Sequence, residues 1–272
     1  MAIELQKKVE KVNIILTKKK VTNACVRVGA AFDVSGSMQD DYRSGTVQDA
    51  VDRIFALAYR FDDNGELENW IFSQQAWQIG PVNKDNIDGF VKREVIDAKI
   101  SGMWQGTNYA PALNLIAKYY SNIEEKTKEV VKTKLVDIAP TGFMGKVKQL
   151  FGAKKTEEVS YTETQKYEEV TSSGEIEYPG YLIFITDGEN DDKSATLDIL
   201  NKLANMPIYV QFVGIGNGSS FRFLQKVAED YNQAGFMHIS DLSKTTDETL
   251  YEQLLNDEFI TFLRTKHSHA IS

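Results

Sequence analysis

The chain has 272 residues, 42% of them hydrophobic and 11% aromatic, enough to bury the core of one large α/β domain or two small ones. Its 31 Lys and Arg against 39 Asp and Glu leave a net charge of −8, which argues against a nucleic-acid surface spread over the whole protein. The single Cys25 rules out an internal disulfide and no apolar run approaches the ~18 residues of a membrane span; the charged start, MAIELQKKVEKVNIIL, lacks a secretory h-region, so the expectation is a cytoplasmic protein.

Residues 1–24 read as an N-terminal extension. The apolar run CVRVGAA opens a first strand over 25–34, where Cys25 is expected as a core thiol. Val47, Val51, Ile54, Phe55 and Ala58 recur at helical spacing and predict a helix over 47–61. FDDNGEL is turn chemistry, and ENWIFSQ (68–74) follows as a strand. Ile87, Phe90, Val91 and Val95 share one face of a helix expected over 83–97, and another helix starts near Asn108, with Pro111 tolerated in its first turn. YLIFIT (181–186) is a continuous apolar run of the kind that parallel sheets bury on both faces. A helix over 194–205, a strand over 208–216, a helix over 221–232, a strand over 236–240 and a last helix over 247–264 complete the series. Strands alternating with helices imply one α/β domain over 1–272, a doubly wound and mostly parallel sheet of Rossmann-like type.

The segment 121–178 breaks this rhythm and reads as an insertion. Its first part, 121–155, holds eight Lys against four acids, and 156–178 holds one Lys against seven. Phe143, Met144, Val147, Leu150 and Phe151 interleave with lysines, and the alternation of Val159 and Tyr161 reads as a hairpin within 158–170. Either the excursion packs on its own domain with its charges solvated, or it docks a partner or an anionic surface.

In open α/β sheets, ligands bind beyond the carboxyl ends of the strands. There the first strand runs into Phe32-Asp33-Val34-Ser35-Gly36-Ser37-Met38, the loop QGTN carries Thr107, and ITDGEND places Asp187 after the strongest strand. Asp33, Ser35, Ser37, Thr107 and Asp187 offer hard oxygen donors only, suited to Mg²⁺, or to Mn²⁺ or Ca²⁺. Two carboxylates among neutral hydroxyls leave such an ion electron-poor, and it invites an acidic group from outside. Thr46 and Ser101 are alternative hydroxyls to Thr107. Asp40, Asp41, Glu189, Asp191 and Asp192 read as a solvated rim, and His238, His267 and His269 show no zinc spacing.

These motifs resemble the metal-ion-dependent adhesion site of von Willebrand factor A (VWA) domains: D-x-S-x-S at 33–37, Thr107 before a helix, and T-D-G at 186–188. GTVQDAVDRIFALAYRFDDNGELENWIF, GTNYAPAL, ITDGEND and GFMHISDL are similar to the bacterial tellurium-resistance-associated, TerF-like branch. The resemblance implies a six-stranded VWA sheet and a divalent ion held by the five residues. It also implies protein–protein interaction rather than catalysis, with a partner offering Asp or Glu to the metal, in a tellurite or stress response.

The enzymatic alternative is a Mg²⁺-dependent phosphotransferase of the haloacid-dehalogenase type, which also places Asp after its first strand. That chemistry needs a second carboxylate two residues on, and Ser35 stands there. GIGNG (214–218) is only a partial dinucleotide fingerprint, late in the chain.

Overall fold

A computed structural model describes residues 2–62, 64–120, 123–137, 156–170 and 178–266. The chain divides into two units, Met1–Ser121 with Glu175–Ser272, and Asn122–Gly174. The elements begin with α1 (Ala2–Lys19), β1 (Arg27–Asp33), α2 (Gln39–Ser44), α3 (Thr46–Phe61), β2 (Leu67–Phe72), β3 (Ala76–Val82) and α4 (Ala110–Tyr120). The smaller unit contributes β4 (Ile123–Asp137) and β5 (Thr156–Val170). Then follow β6 (Gly180–Thr186), α5 (Lys193–Leu203), β7 (Ile208–Ile215), α6 (Arg222–Asp230), β8 (Ala234–Ile239), α7 (Asp247–Leu254) and α8 (Asp257–Lys266).

The larger unit is built on a six-stranded sheet in the order β3-β2-β1-β6-β7-β8. Every pairing is parallel except that of β2 with β3. The mostly parallel, doubly wound sheet is therefore as expected, but β3 has no counterpart in the sequence reading. Ala76–Val82 carries Gly80 and Pro81 and buries only Val82 fully, which is what an edge strand tolerates.

Burial on both faces explains the apolar runs. Every residue of β6 and of β7 is buried. Successive residues point to opposite faces: Ile183 and Ile185 enter one apolar cluster with α1, α3, α7 and α8, whereas Leu182 and Phe184 enter a second with α4, α5 and α6. Each fully buried side chain of this size contributes about 1.5–3 kcal/mol. The predicted face of α3 (Val47, Val51, Ile54, Phe55, Ala58) is buried throughout. Val9, Val12, Ile15 and Leu16 of α1 join the same cluster, so residues 2–19 pack into the core. Lys11 Nζ ties this helix to Asp247 at 2.9 Å.

Four expectations change. Over 83–97, Ile87, Phe90, Val91 and Val95 are buried as foreseen, yet only Lys92–Ile96 winds into a single wide turn. The Asn83 and Asn86 side chains accept backbone N–H bonds from Asp85 and Asn83, building a turn, and Gly89 sits at φ +65°. The last helix is two helices. Asn256 breaks it: its Oδ1 accepts the Phe259 N–H at 2.8 Å while its Nδ2 donates to Gln211 Oε1 of β7 at 2.7 Å. Cys25 is only half-buried, just ahead of β1. Finally, 158–170 is no hairpin by itself: β5 pairs antiparallel with β4 along its whole length, from Ile123↔Val170 to Asp137↔Thr156. Charged residues at every second or third position hid β4 from a reading based on apolar periodicity. The stretch from Phe143 to Phe151 lies outside the described residues. Among the described residues no helix is long and apolar enough to cross a membrane.

Candidate functional site

The chain leaves β1 to one side of the sheet for β2, and β6 pairs on its other side, so the sheet switches direction between β1 and β6. A crevice opens at such a point because the two connections diverge. Asp33 ends β1 and Thr186 ends β6, with Asp187 next in the chain.

Asp33 is fully buried. Its Oδ1 accepts the Ser35 N–H at 2.7 Å and its Oδ2 accepts the Thr186 hydroxyl at 2.7 Å. Burial raises its pKa to about 7; the bonds from Thr186 and Ser35 oppose that rise and the Asp187 charge adds to it. Ser35 precedes a turn, Gly36–Met38, yet its hydroxyl caps nothing there. Instead Ser35 Oγ lies 3.2 Å from Ser37 Oγ, and Ser37 Oγ donates to Asp187 Oδ1 at 3.0 Å. Hydrogen bonds thus connect Asp33, Ser35, Ser37 and Asp187 across 150 residues of chain.

The hydroxyl of Thr107 makes no hydrogen bond to these four among the described residues, but its loop is fastened to both of theirs. Gly36 N–H donates to Gln105 O at 3.0 Å, and Asp191 N–H donates to Thr107 O at 2.8 Å. A Cβ on Gly106 would meet Asp191 Oδ2 at 3.0 Å and Gln74 Nε2 at 3.2 Å, so glycine permits this close approach. The alternatives are placed differently. Thr46 pairs with Ser44 at 2.9 Å at the start of α3, and Ser101 is exposed in a turn.

Three supporting residues were not anticipated. Thr186 holds Asp33, and Tyr109, buried beneath, shares its hydroxyl proton between Thr186 Oγ1 and Gly188 O. Asp192 is not a solvated rim residue. Its two oxygens accept the N–H groups of Tyr109 at 3.0 Å and Ala110 at 2.9 Å, capping α4, and Oδ1 also accepts the Thr196 hydroxyl. An Asp four residues before a Thr at a helix start was the available signal. Asp41 is half-buried; its pKa is raised by burial first and then by the charges of Asp187, Asp40 and Asp241.

Among the described residues no group of three or more His, Cys, Asp or Glu is placed to hold a metal. The candidate set is of another kind, two carboxylates with hydroxyls. Its donors fit a hard divalent ion: oxygens only, with one carboxylate wholly buried and, among the described residues, answered by hydrogen bonds from Thr186 and Ser35.

The model of the family described as vWA-TerF-like, the vWA found in the TerF C terminus, matches residues 25–132 and 127–272. The Bacillus subtilis (strain 168) protein described as uncharacterized protein YcbR is 31% identical over 257 residues, 93% of this chain and 83% of its own length. Among solved structures, proximal thread matrix protein 1 of the mussel byssus is similar with a TM-score of 0.48 at 15% identity, over 85% of this chain and 47% of its own. The ArnB paralog VWA2 of Sulfolobus acidocaldarius follows at 0.44 and 13%, over 85% and 45%. The chain thus spans about half the length of these two proteins. An aerotolerance-related membrane protein of Bacteroides fragilis NCTC 9343 gives 0.43 and 16%, over 84% and 98%. With the family model spanning nearly all of it and a six-stranded, mostly parallel sheet beneath, this chain belongs to the vWA-TerF-like family of von Willebrand factor A domains.

Proposed function

We propose that this domain is a protein-interaction module that takes a partner's Asp or Glu through a divalent cation, Mg²⁺ or else Mn²⁺ or Ca²⁺. Asp33, Ser35, Ser37, Thr107 and Asp187 would hold the ion. Bound there, it supplies a Lewis-acidic position for a foreign carboxylate, which neutralises more of the remaining positive field than water does. One observation carries this reading: the buried carboxylate of Asp33 and that of Asp187, whose charge acts on it, converge at the switch point and are linked through Ser35 and Ser37. A charge left so is costly unless a cation completes it. The setting we propose, a bacterial cytoplasm under tellurite or other stress, rests on the family alone.

The phosphotransferase alternative lacks its acid/base. Ser35 gives its N–H to Asp33 and its hydroxyl to Ser37, and no hydroxyl there moves a proton near neutral pH.

Calorimetry with MgCl₂, MnCl₂ and CaCl₂ tests the centre. Binding is expected for the unaltered chain and lost in Asp187→Ala and Ser37→Ala, with the thermal transition kept. Affinity unchanged in both variants would remove the assignment.

A further inference from the structure

Trp104 occupies a backbone conformation that bulky L-residues avoid, φ +63°. Strain of this kind persists only where the surroundings impose it, and it gathers at binding sites. The imposing contacts are local. Trp104 N–H donates to Val34 O at 2.8 Å, and the next carbonyl, Gln105 O, accepts from Gly36 N–H. Val34 and Gly36 are the residues interleaved among Asp33, Ser35 and Ser37. A Cβ on Gly36 would stand 3.4 Å from Trp104 O, so this backbone lies directly against the candidate centre.

Trp104 packs against the apolar cluster that holds α1 and α3, its ring meeting that of Tyr42 edge-on at 5.2 Å and 81°, yet it is only half-buried and keeps part of its surface accessible. A core filler needs neither feature: Met103, its neighbour, is buried without a positive φ. Trp77 packs under the same loop, its ring 3.2 Å from where a Cβ on Gly102 would be.

We propose that Trp104 is the apolar half of the docking surface, so that the partner segment presents an acidic residue to the centre and an apolar or aromatic side chain next to it on the Trp104 ring. This rests on the metal-dependent reading above. The choice of occupant follows from charge. The charges of Asp187, Asp40 and Asp241 all reach Asp41, so four carboxylates gather beside the centre and oppose an acidic partner except at the cation. Further affinity and selectivity then come from apolar contact, which an aromatic ring supplies with little loss of side-chain freedom.

The test uses the full chain and three capped pentapeptides, Gly-Gly-Glu-Phe-Gly, Gly-Gly-Glu-Gly-Gly and Gly-Gly-Gln-Phe-Gly, titrated calorimetrically with Mg²⁺ present. Mg²⁺ binding is measured separately, and analytical ultracentrifugation follows self-association. The Glu-Phe peptide is expected to bind about tenfold tighter than Glu-Gly, and Gln-Phe about tenfold weaker than Glu-Phe. Trp104→Gly, which accepts the positive φ without strain, should erase the Phe advantage while leaving Mg²⁺ affinity unchanged. Trp104→Phe should retain most of it. Equal discrimination by Trp104→Gly and the unaltered chain overturns the proposal, as does self-association that Trp104→Gly abolishes, which would make a second copy the occupant. Absence of Mg²⁺ binding to the unaltered chain defeats the functional reading itself, and this inference with it.

Discussion

The sheet unit and the β4–β5 unit use the same element, the β-strand, under opposite conditions. Strands β6 and β7 bury every residue, between helices on both faces. Strands β4 and β5 are fifteen residues each, twice as long, but among the described residues pair only with each other. There Val131, Val159 and Tyr161 are exposed at 68%, 43% and 41%. Among its described residues the second unit is joined by its ladder and by cross-strand pairs, such as Lys134 Nζ 5.4 Å from the ring centre of Tyr161. A two-stranded ribbon of this kind is marginal in water, whereas a covered sheet is not. The chain departs after Tyr120 and returns before Gly180, and these two residues stand together inside the sheet unit, a Cβ on Gly180 falling 3.1 Å from the Tyr120 ring. An excursion with adjoining roots leaves the register of the surrounding strands undisturbed.

Substitutions should separate the two units by size of effect. Phe184 of β6 stacks on Phe72 at 4.4 Å and meets Tyr109 and Phe212 at 5.2 and 5.4 Å. Phe184→Ala is expected to cost about 3–5 kcal/mol, read from the urea midpoint; a loss under about 1 kcal/mol would mean the sheet core is not packed as described. Asp192→Ala removes the acceptor for two α4 N–H groups and should cost about 1–2 kcal/mol in the same measurement, with Asp192→Asn milder. An unchanged midpoint would return Asp192 to the solvated rim. Smallest is Tyr161→Ala in β5, expected within about 0.5 kcal/mol of the unaltered chain in that transition. A large shift there would show that the two units unfold together and erase the contrast.

Most of the sheet was legible because a strand buried on both faces has to be apolar throughout. The expected run 181–186 became Gly180–Thr186, and the helix expected over 47–61 became Thr46–Phe61. What was missed shares one property: the decisive contact is not apolar. Edge strand β3 is half-exposed, β4 is charged, and the break between α7 and α8 is made by Asn256 reaching Gln211, 45 residues away.

At the centre the division is equally physical. The alternation of Asp33, Ser35 and Ser37 is local, so the residues themselves determine that an oxygen-rich loop follows the first strand. Chain order also places Asp187 at the end of a buried strand. That Ser37 meets Asp187, that Thr186 donates to Asp33, and that Asp192 caps α4 are decisions of tertiary structure. They depend on β1 and β6 being neighbours in register, from Arg27↔Gly180 to Phe32↔Ile185. No local propensity encodes that pairing; it follows from burying both strands between two layers of helices. The left-handed turn at Trp104 belongs to the same class, since no local preference would choose it and only the bonds of its loop to Val34 and Gly36 impose it.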